Sequence, residues 1–370
     1  MNTLDFYKDK TVLITGHTGF KGSWLCVMLQ MAGAKVIGYA LAPTGASNRV
    51  SQSDSVMDLM EVSQSTPNLF DLSQAESHMI SIEGDIRDYE HLKSVFEKYH
   101  PEIVLHLAAQ PIVRESYENP AYTYETNVMG TVNLLECVRT TPGIKSVLNV
   151  TTDKVYDNKE WNWGYRETDP LDGYDPYSNS KSCSELITHS YKKSFFDKMG
   201  IPVSTARAGN VIGGGDFAKD RIIPDCVRAA MNETEIVLRN PYSIRPFQHV
   251  LEPLMAYLMI AQQQYENKEK QGYYNVGPQE ADCITVGELT DIFCNSWKEG
   301  LTWKNVHDGG PHEATFLKLD CSLVKSRIGW QPKWNIKTAV EKMVEWTKVY
   351  AAGGDIRGCM EQQIHDFCGE

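Results

Sequence analysis

The sequence predicts an α/β protein built on a doubly wound parallel sheet, with a smaller α+β domain carried mainly by its C-terminal third. Short apolar runs alternate with helical stretches through the first half. A glycine-spaced loop directly follows the first of those runs and opens a helix, and beyond residue 210 the alternation weakens. Thr11–Thr15 reads as the first strand, Ser23–Ala32 as a helix and Lys35–Leu41 as the second strand. Residues 43–78 are polar and serine-rich and are expected to form a long loop with one helical turn. Met79–Glu83 resumes the sheet, Asp88–Tyr99 is helical, Ile103–Leu107 is a strand and Tyr122–Arg139 a long helix. Val147–Thr151 and Val203–Arg207 are the next strands. Strands this short and apolar, separated by helices, suit a sheet covered on both faces.

Later, Pro224–Met231, Val250–Tyr265, Val286–Trp297 and Ile336–Tyr350 read as helices, and Gly272–Gly277 and Glu235–Leu238 as strands. Residues 351–370 are expected to be peripheral. The expected division places residues 1–205, joined by about 245–275, in a nucleotide-binding domain, and 206–244 with 276–360 in the second domain.

The chain has 370 residues, of which 48 are acidic and 36 basic, a formal charge of −12. Nothing in that balance offers the basic field that general nucleic-acid binding requires. No apolar run is long enough to span a membrane, and the amino terminus has no signal-peptide pattern. Nine scattered cysteines without a CxxC pair fit a reduced, cytoplasmic protein.

Gly16, Gly19 and Gly22 lie at the first strand–helix junction, with His17, Thr18 and Phe20 between them. Glycine permits a tight turn and close backbone approach, so amides at the helix N-terminus can meet a pyrophosphate. An ordinary glycine-rich turn is the alternative, and its position in an α/β chain favours a Rossmann-like dinucleotide site. Asp85 and Ile86, after the third strand, are placed to hold adenine, and Leu107, Ala108 and Ala109 to line the cofactor cleft. The second strand runs into Leu41-Ala-Pro43 with no carboxylate for a ribose, which leaves NAD and NADP open; Arg49 lies nearby.

Tyr177 and Lys181 are four residues apart and share a helix face. A neighbouring ammonium favours tyrosinate and suits the hydroxyl to proton transfer. Tyr89 and Lys93 repeat the spacing by accident, so order promotes Tyr177: its helix follows the strand ending in Thr151-Thr152. Thr152 is placed to hold a substrate hydroxyl, and Asn127 to brace the lysine or simply to pack. Asp153 and Lys154 exceed what a hydride transfer needs.

These motifs resemble the extended short-chain dehydrogenase/reductase family, and the resemblance covers almost the entire chain. Thr15–Gly22, Thr152–Lys154, Asn158–Trp161, Gly164–Glu167 and Gly173–Lys181 are similar to its CDP-glucose 4,6-dehydratase branch. The related dTDP-glucose branch carries Asp-Glu where this chain has Asp153-Lys154; the Arg245–His249 and His312-Glu313 segments also support the cytidine branch. Phe247 departs from it, standing where tryptophan is common.

The resemblance implies NAD as cofactor, CDP-glucose as substrate, and a homodimer paired through the helix around 122–139 and the one starting near Tyr177. It implies oxidation at C4 with Tyr177 taking the 4-OH proton, elimination of water across C5 and C6, and hydride return to C6. Asp153 would be the acid at C6; Lys154 would be the base at C5 or a charge partner of Asp153. Asn210, Arg245 and His249 are implied contacts of the nucleotide sugar, with Arg114, Lys219 and Arg221 as further candidates.

An epimerase, or a dehydratase for another nucleoside diphosphate sugar, is the nearest alternative reading. A non-catalytic redox sensor would leave Tyr177, Lys181 and Thr152 unexplained. His307 and His312 have no third clustered ligand, so no metal is expected. Trp161, Trp163, Trp303, Trp330 and Trp334 either frame a pocket or anchor a core, with the core favoured for the last two.

Overall fold

The computed structural model describes residues 3–43, 67–219, 221–306 and 316–369. Arg49, His307, His312 and Glu313 lie outside the described residues. After a short helix α1 (Thr3–Phe6) come β1 (Thr11–Thr15), α2 (Phe20–Met31) and β2 (Lys35–Ala40). The next elements are α3 (Leu69–Leu72), β3 (Ile80–Glu83), α4 (Tyr89–Tyr99), β4 (Ile103–His106), α5 (Val113–Glu118), α6 (Pro120–Tyr124), α7 (Gly130–Thr140) and β5 (Ser146–Thr152). Helix α8 (Pro176–Tyr191), α9 (Asp197–Met199) and β6 (Val203–Ala208) follow. In the last third, α10 (Ile222–Met231) and α11 (Leu251–Glu266) flank β7 to β10 only in part: β7 (Val211–Ile212) precedes α10, and β8 (Ile236–Leu238), β9 (Ile244–Pro246) and β10 (Gln248–His249) follow it. The chain ends with β11 (Tyr273–Val276), β12 (Cys283–Thr285), α12 (Val286–Trp297), β13 (Trp303–Asn305), α13 (Ser322–Ile328), α14 (Ile336–Ala351) and α15 (Ile356–Cys368).

Seven parallel strands form the central sheet in the order β11-β6-β5-β4-β1-β2-β3. Side chains alternate across it. Val12, Ile14, Leu105, Leu148 and Val150 face a core shared with α2, α11 and α15. Leu13, Ile37, Val104 and Val147 face the opposite core with α4 and α7. The strand order reverses between β1 and β4, which opens a crevice at the carboxyl ends of those strands. A third core of Ile223, Leu238, Phe247, Leu289, Phe293 and Val340 joins α10, α12 and α14. Among the described residues no helix is long and apolar enough to cross a membrane, and all nine cysteines are free thiols.

Two expectations are corrected. The helix read as Tyr122–Arg139 is α6 and α7 joined by a π-helical turn, Glu125–Met129, that contains Asn127. The C-terminal segment is not peripheral: Ile356, Met360, Ile364 and Phe367 are buried in the α2 core. Their spacing places them on one face of α15, and the Phe367 ring meets Trp334 edge-on with centroids 5.0 Å apart.

Phe367→Ala is therefore expected to cost about 3–5 kcal/mol of unfolding free energy in urea. A peripheral side chain would change it by no more than about 0.5 kcal/mol.

Candidate active site

A cleft of about 2050 Å³ runs along the carboxyl ends of the strands. Gly16, Thr18, Gly19, Phe20 and Gly22 line one end, with Asp85, Ile86, Leu107, Ala108 and Ala109 beside them. Gly16 has φ of 77°, and a Cβ there would lie 2.7 Å from the Ala108 nitrogen. A Cβ on Gly22 would lie 2.2 Å from the Gly16 carbonyl oxygen and 2.7 Å from His17 Cα. Only glycine lets these backbones close up, and the turn they form presents the N-terminus of α2 to the cleft. The cradle fits a dinucleotide pyrophosphate. Asp85, expected at an adenine, lines this end of the cleft, but its carboxylate is already engaged by Arg87 at 2.6 Å, which holds it below its ordinary pKa.

At the other end β5 delivers the reactive groups. The strand stops at Thr152, whose Oγ1 accepts from the Lys154 amide at 3.4 Å and starts a 3₁₀ turn over Asp153–Val155. Asp153 is fully buried. Its Oδ1 accepts from Thr152 Oγ1 at 3.0 Å and from Lys154 Nζ at 3.1 Å, while Oδ2 has no hydrogen-bond partner. Lys154 Nζ also donates to Asn210 Oδ1 at 3.3 Å. Helix α8 begins with Pro176 at its first turn and Asp175 as cap, accepting from the Ser178 amide at 2.9 Å. That start aims Tyr177 and Lys181 into the same cleft. Burial raises the Tyr177 pKa, opposed by the Lys154 ammonium and a Thr152 hydrogen bond and reinforced by Asp153. Burial lowers Lys181 to about 8, against the upward pull of Glu185; its Nζ donates to the Val150 carbonyl at 3.2 Å. The site thus brings a buried tyrosine and two lysines to one substrate-sized space, with the buried Asp153 carboxylate hydrogen-bonded to one of those lysines.

Residues 13–343 match the family model described as GDP-mannose 4,6 dehydratase. The chain belongs to that dehydratase family. It is 46% identical to a CDP-glucose 4,6-dehydratase from Salmonella typhimurium, over 98% of this chain and 97% of that one. Two solved structures share the family fold at 22% identity, each covering 93% of this chain and 98% of its own. One is a dTDP-glucose 4,6-dehydratase from Bacillus anthracis in complex with NAD, with a TM-score of 0.71. The other is a dTDP-glucose 4,6-dehydratase from Streptomyces venezuelae with NAD and TYD bound, with a TM-score of 0.73.

In this dehydratase cleft Asn210, Arg245, Arg114, Lys219 and Arg221 all line the wall. Four expected site residues are not in that lining. Asp153 is fully buried between Thr152 and Lys154, which do line it. His17 turns under the sheet, where Nε2 hydrogen-bonds Ser81 at 2.8 Å and burial lowers it to about 4. His249 is fully buried between the Trp24 and Trp334 rings, 6.0 and 4.9 Å away, because two tryptophans close over it. Asn127 is outside the cleft lining: it bonds both backbone groups of Gln110 and donates to Ser180 Oγ at 2.9 Å, so it pins a loop to α8. None of the five tryptophans lines the cleft; Trp330 is core and Trp163 is exposed. Lys21 was missed. It lines the cleft, and burial, then Arg221 and Lys181, lower it to about 7; a lysine inside the glycine loop is its signal. A second cavity of about 590 Å³, lined by Lys145, Pro202 and Lys268, opens at the opposite end of the strands and holds none of these groups.

Gly22→Ala must force the Gly16–Gly22 turn apart. Titration of the apo-protein with NAD is expected to show affinity reduced by at least about tenfold, equivalent to about 1.4 kcal/mol, and unchanged affinity would refute the cradle.

Proposed function

We propose that this protein is a CDP-glucose 4,6-dehydratase that uses NAD to convert CDP-D-glucose to CDP-4-dehydro-6-deoxy-D-glucose and water. The observation that carries the reading is the Asp153–Lys154 contact of 3.1 Å at the end of β5, with Lys154 lining the same cleft as Tyr177. The likeness to the Salmonella enzyme supports the substrate. The glycine cradle would hold the NAD pyrophosphate, and the bound cofactor would supply hydride acceptance from C4 and its return to C6.

The side chains supply the proton movements. Tyr177, as tyrosinate beside Thr152, takes the 4-OH proton during oxidation. The C4 ketone then acidifies the C5 hydrogen. A C5 base must be a neutral amine and a C6 acid must be a protonated carboxyl, and one proton shift makes both. Movement of a proton from Lys154 Nζ to Asp153 along their hydrogen bond leaves an amine and a carboxylic acid. Lys154 then takes the C5 proton while Asp153 protonates the departing C6 hydroxyl, which restores the ammonium–carboxylate pair as water leaves. Lys154 returns its proton to C5 when C6 is reduced. Tyr177 gains the one proton the pair has lost, so solvent exchange closes the cycle.

We assign cofactor binding to the seven-stranded sheet region and the nucleotide sugar to the wall built by β8, β9 and α10. Free thiols throughout suit a reducing cytoplasm. The unit in solution is a homodimer paired through the helices around 122–139 and 176–191. Met129 and Leu186 stand exposed there at 51% and 54%, whereas Leu135 packs on the sheet core.

Incubation with CDP-glucose deuterated at C4 is expected to release water and place the label at C6; unchanged sugar or a C4 epimer would sink the reading. Tyr177→Phe should slow turnover by about 10²–10⁴-fold. D153N and K154M should each block C5 proton exchange, because the proton shift needs both partners. Normal exchange in K154M would remove Lys154 as base. Leu186→Glu is expected to convert the dimer to monomer in sedimentation analysis.

A further inference from the structure

Helix α8 carries a third ionisable side chain that the chemistry above does not use. Glu185 lies one turn beyond Lys181 on the same helix face and is buried. One carboxylate oxygen accepts from Thr151 Oγ1, on the residue preceding Thr152. The other accepts from Thr205 Oγ1 at 2.8 Å and from Arg207 Nη2 at 2.9 Å, both on β6. Arg207 is also buried, and its Nη1 donates to the Tyr156 hydroxyl at 2.8 Å and the Glu167 carbonyl at 3.1 Å. One carboxylate therefore joins α8 to two strands and to the loop that leaves the Asp153–Lys154 turn.

Stability does not account for such a pair, because well-packed apolar residues often replace a buried ion pair without loss. Its geometric consequence is specific. Lys181 Nζ holds the Val150 carbonyl and Glu185 holds Thr151, so α8 is tied to consecutive residues of β5 just before Thr152. Lys181 lies near enough to Lys21 of α2 and His106 of β4 for its charge to help lower both, and Glu185 on its own helix is the charged group that acts on it. Lys154 and Asp153 stand at the end of β5, where Asp153 is already paired. Glu185 is the anion of the set on the lysine's own helix.

We propose that Glu185, paired with Arg207, is a positioning residue for C4 oxidation: it locks α8 in register on β5 and keeps Lys181 an ammonium beside Tyr177. The inference rests on the dehydratase reading. Its sign follows from Lys181, which burial lowers and Glu185 raises. Without the anion, Lys181 loses its proton at lower pH, and the alkaline limb of activity moves down.

The test is kcat/KM for CDP-glucose against pH. E185Q should shift the alkaline limb down by about one pH unit. E185D, which keeps the charge, should leave the limb in place and lower only kcat. E185Q/R207M leaves no buried charge unpaired and should show the same shift as E185Q, so it reports even where E185Q folds poorly. An alkaline limb at its wild-type position in E185Q/R207M, or identical profiles for E185D and E185Q, would overturn the proposal. Failure of the wild-type protein to convert CDP-glucose is a different result and would sink the dehydratase reading together with it.

Discussion

The register of α8 against β5 decides whether Tyr177, Lys181 and the Asp153–Lys154 pair meet at all, and that register is set by polar groups buried where the sheet is otherwise apolar. Asn149 donates to Ser184 and Thr188, both at 2.9 Å, and Ser184 shares a 2.9 Å contact with Thr131 of α7. Asn127 holds Ser180 from the π-turn. A slip of α8 by one position would strand several buried donors and acceptors together, each at a cost of about 1–3 kcal/mol. An apolar interface tolerates such slips far better, since one branched side chain replaces another at little cost. The polar seam therefore provides uniqueness where the chemistry needs it, and the apolar cores on each face provide the bulk of the stability.

The same constraint explains what was legible in the sequence. Tyr177 and Lys181 were readable because a helix face has a fixed period and β5 ends on hydroxyls. The glycine loop was readable because its context, strand then helix, is as informative as its composition. The π-turn at Asn127 was not: one extra residue in a turn barely disturbs a helical pattern over a few positions. The family resemblance implies His249 as a substrate contact, yet Trp24 and Trp334 enclose it from positions far away along the chain. No local pattern carries that information. The α15 helix is a different case. Ile356, Met360, Ile364 and Phe367 form an apolar stripe at helical spacing, a pattern that points to the core whatever the usual looseness of chain ends.

Electrostatics in the cleft run against the charge of the chain. A protein of net charge −12 gathers Lys21, Lys154, Lys181 and Arg221 around one space. Their mutual repulsion, added to burial, is what brings Lys21 down to about 7 and helps to mark the site as unusual. Such a cluster is costly without an anion and is relieved by one. The cost is met during folding, so the donors stand preorganised before a diphosphate arrives. Within that field Asp153 and Lys154 are a neutral unit. As an ion pair they contribute no net charge to the cluster, and a proton shift between them leaves that total unchanged. A lysine alone at that position would have only solvent to receive its proton in order to act as a base. In the proposed reaction, the buried carboxylate at hydrogen-bond distance would receive that proton and be the group that needs it next.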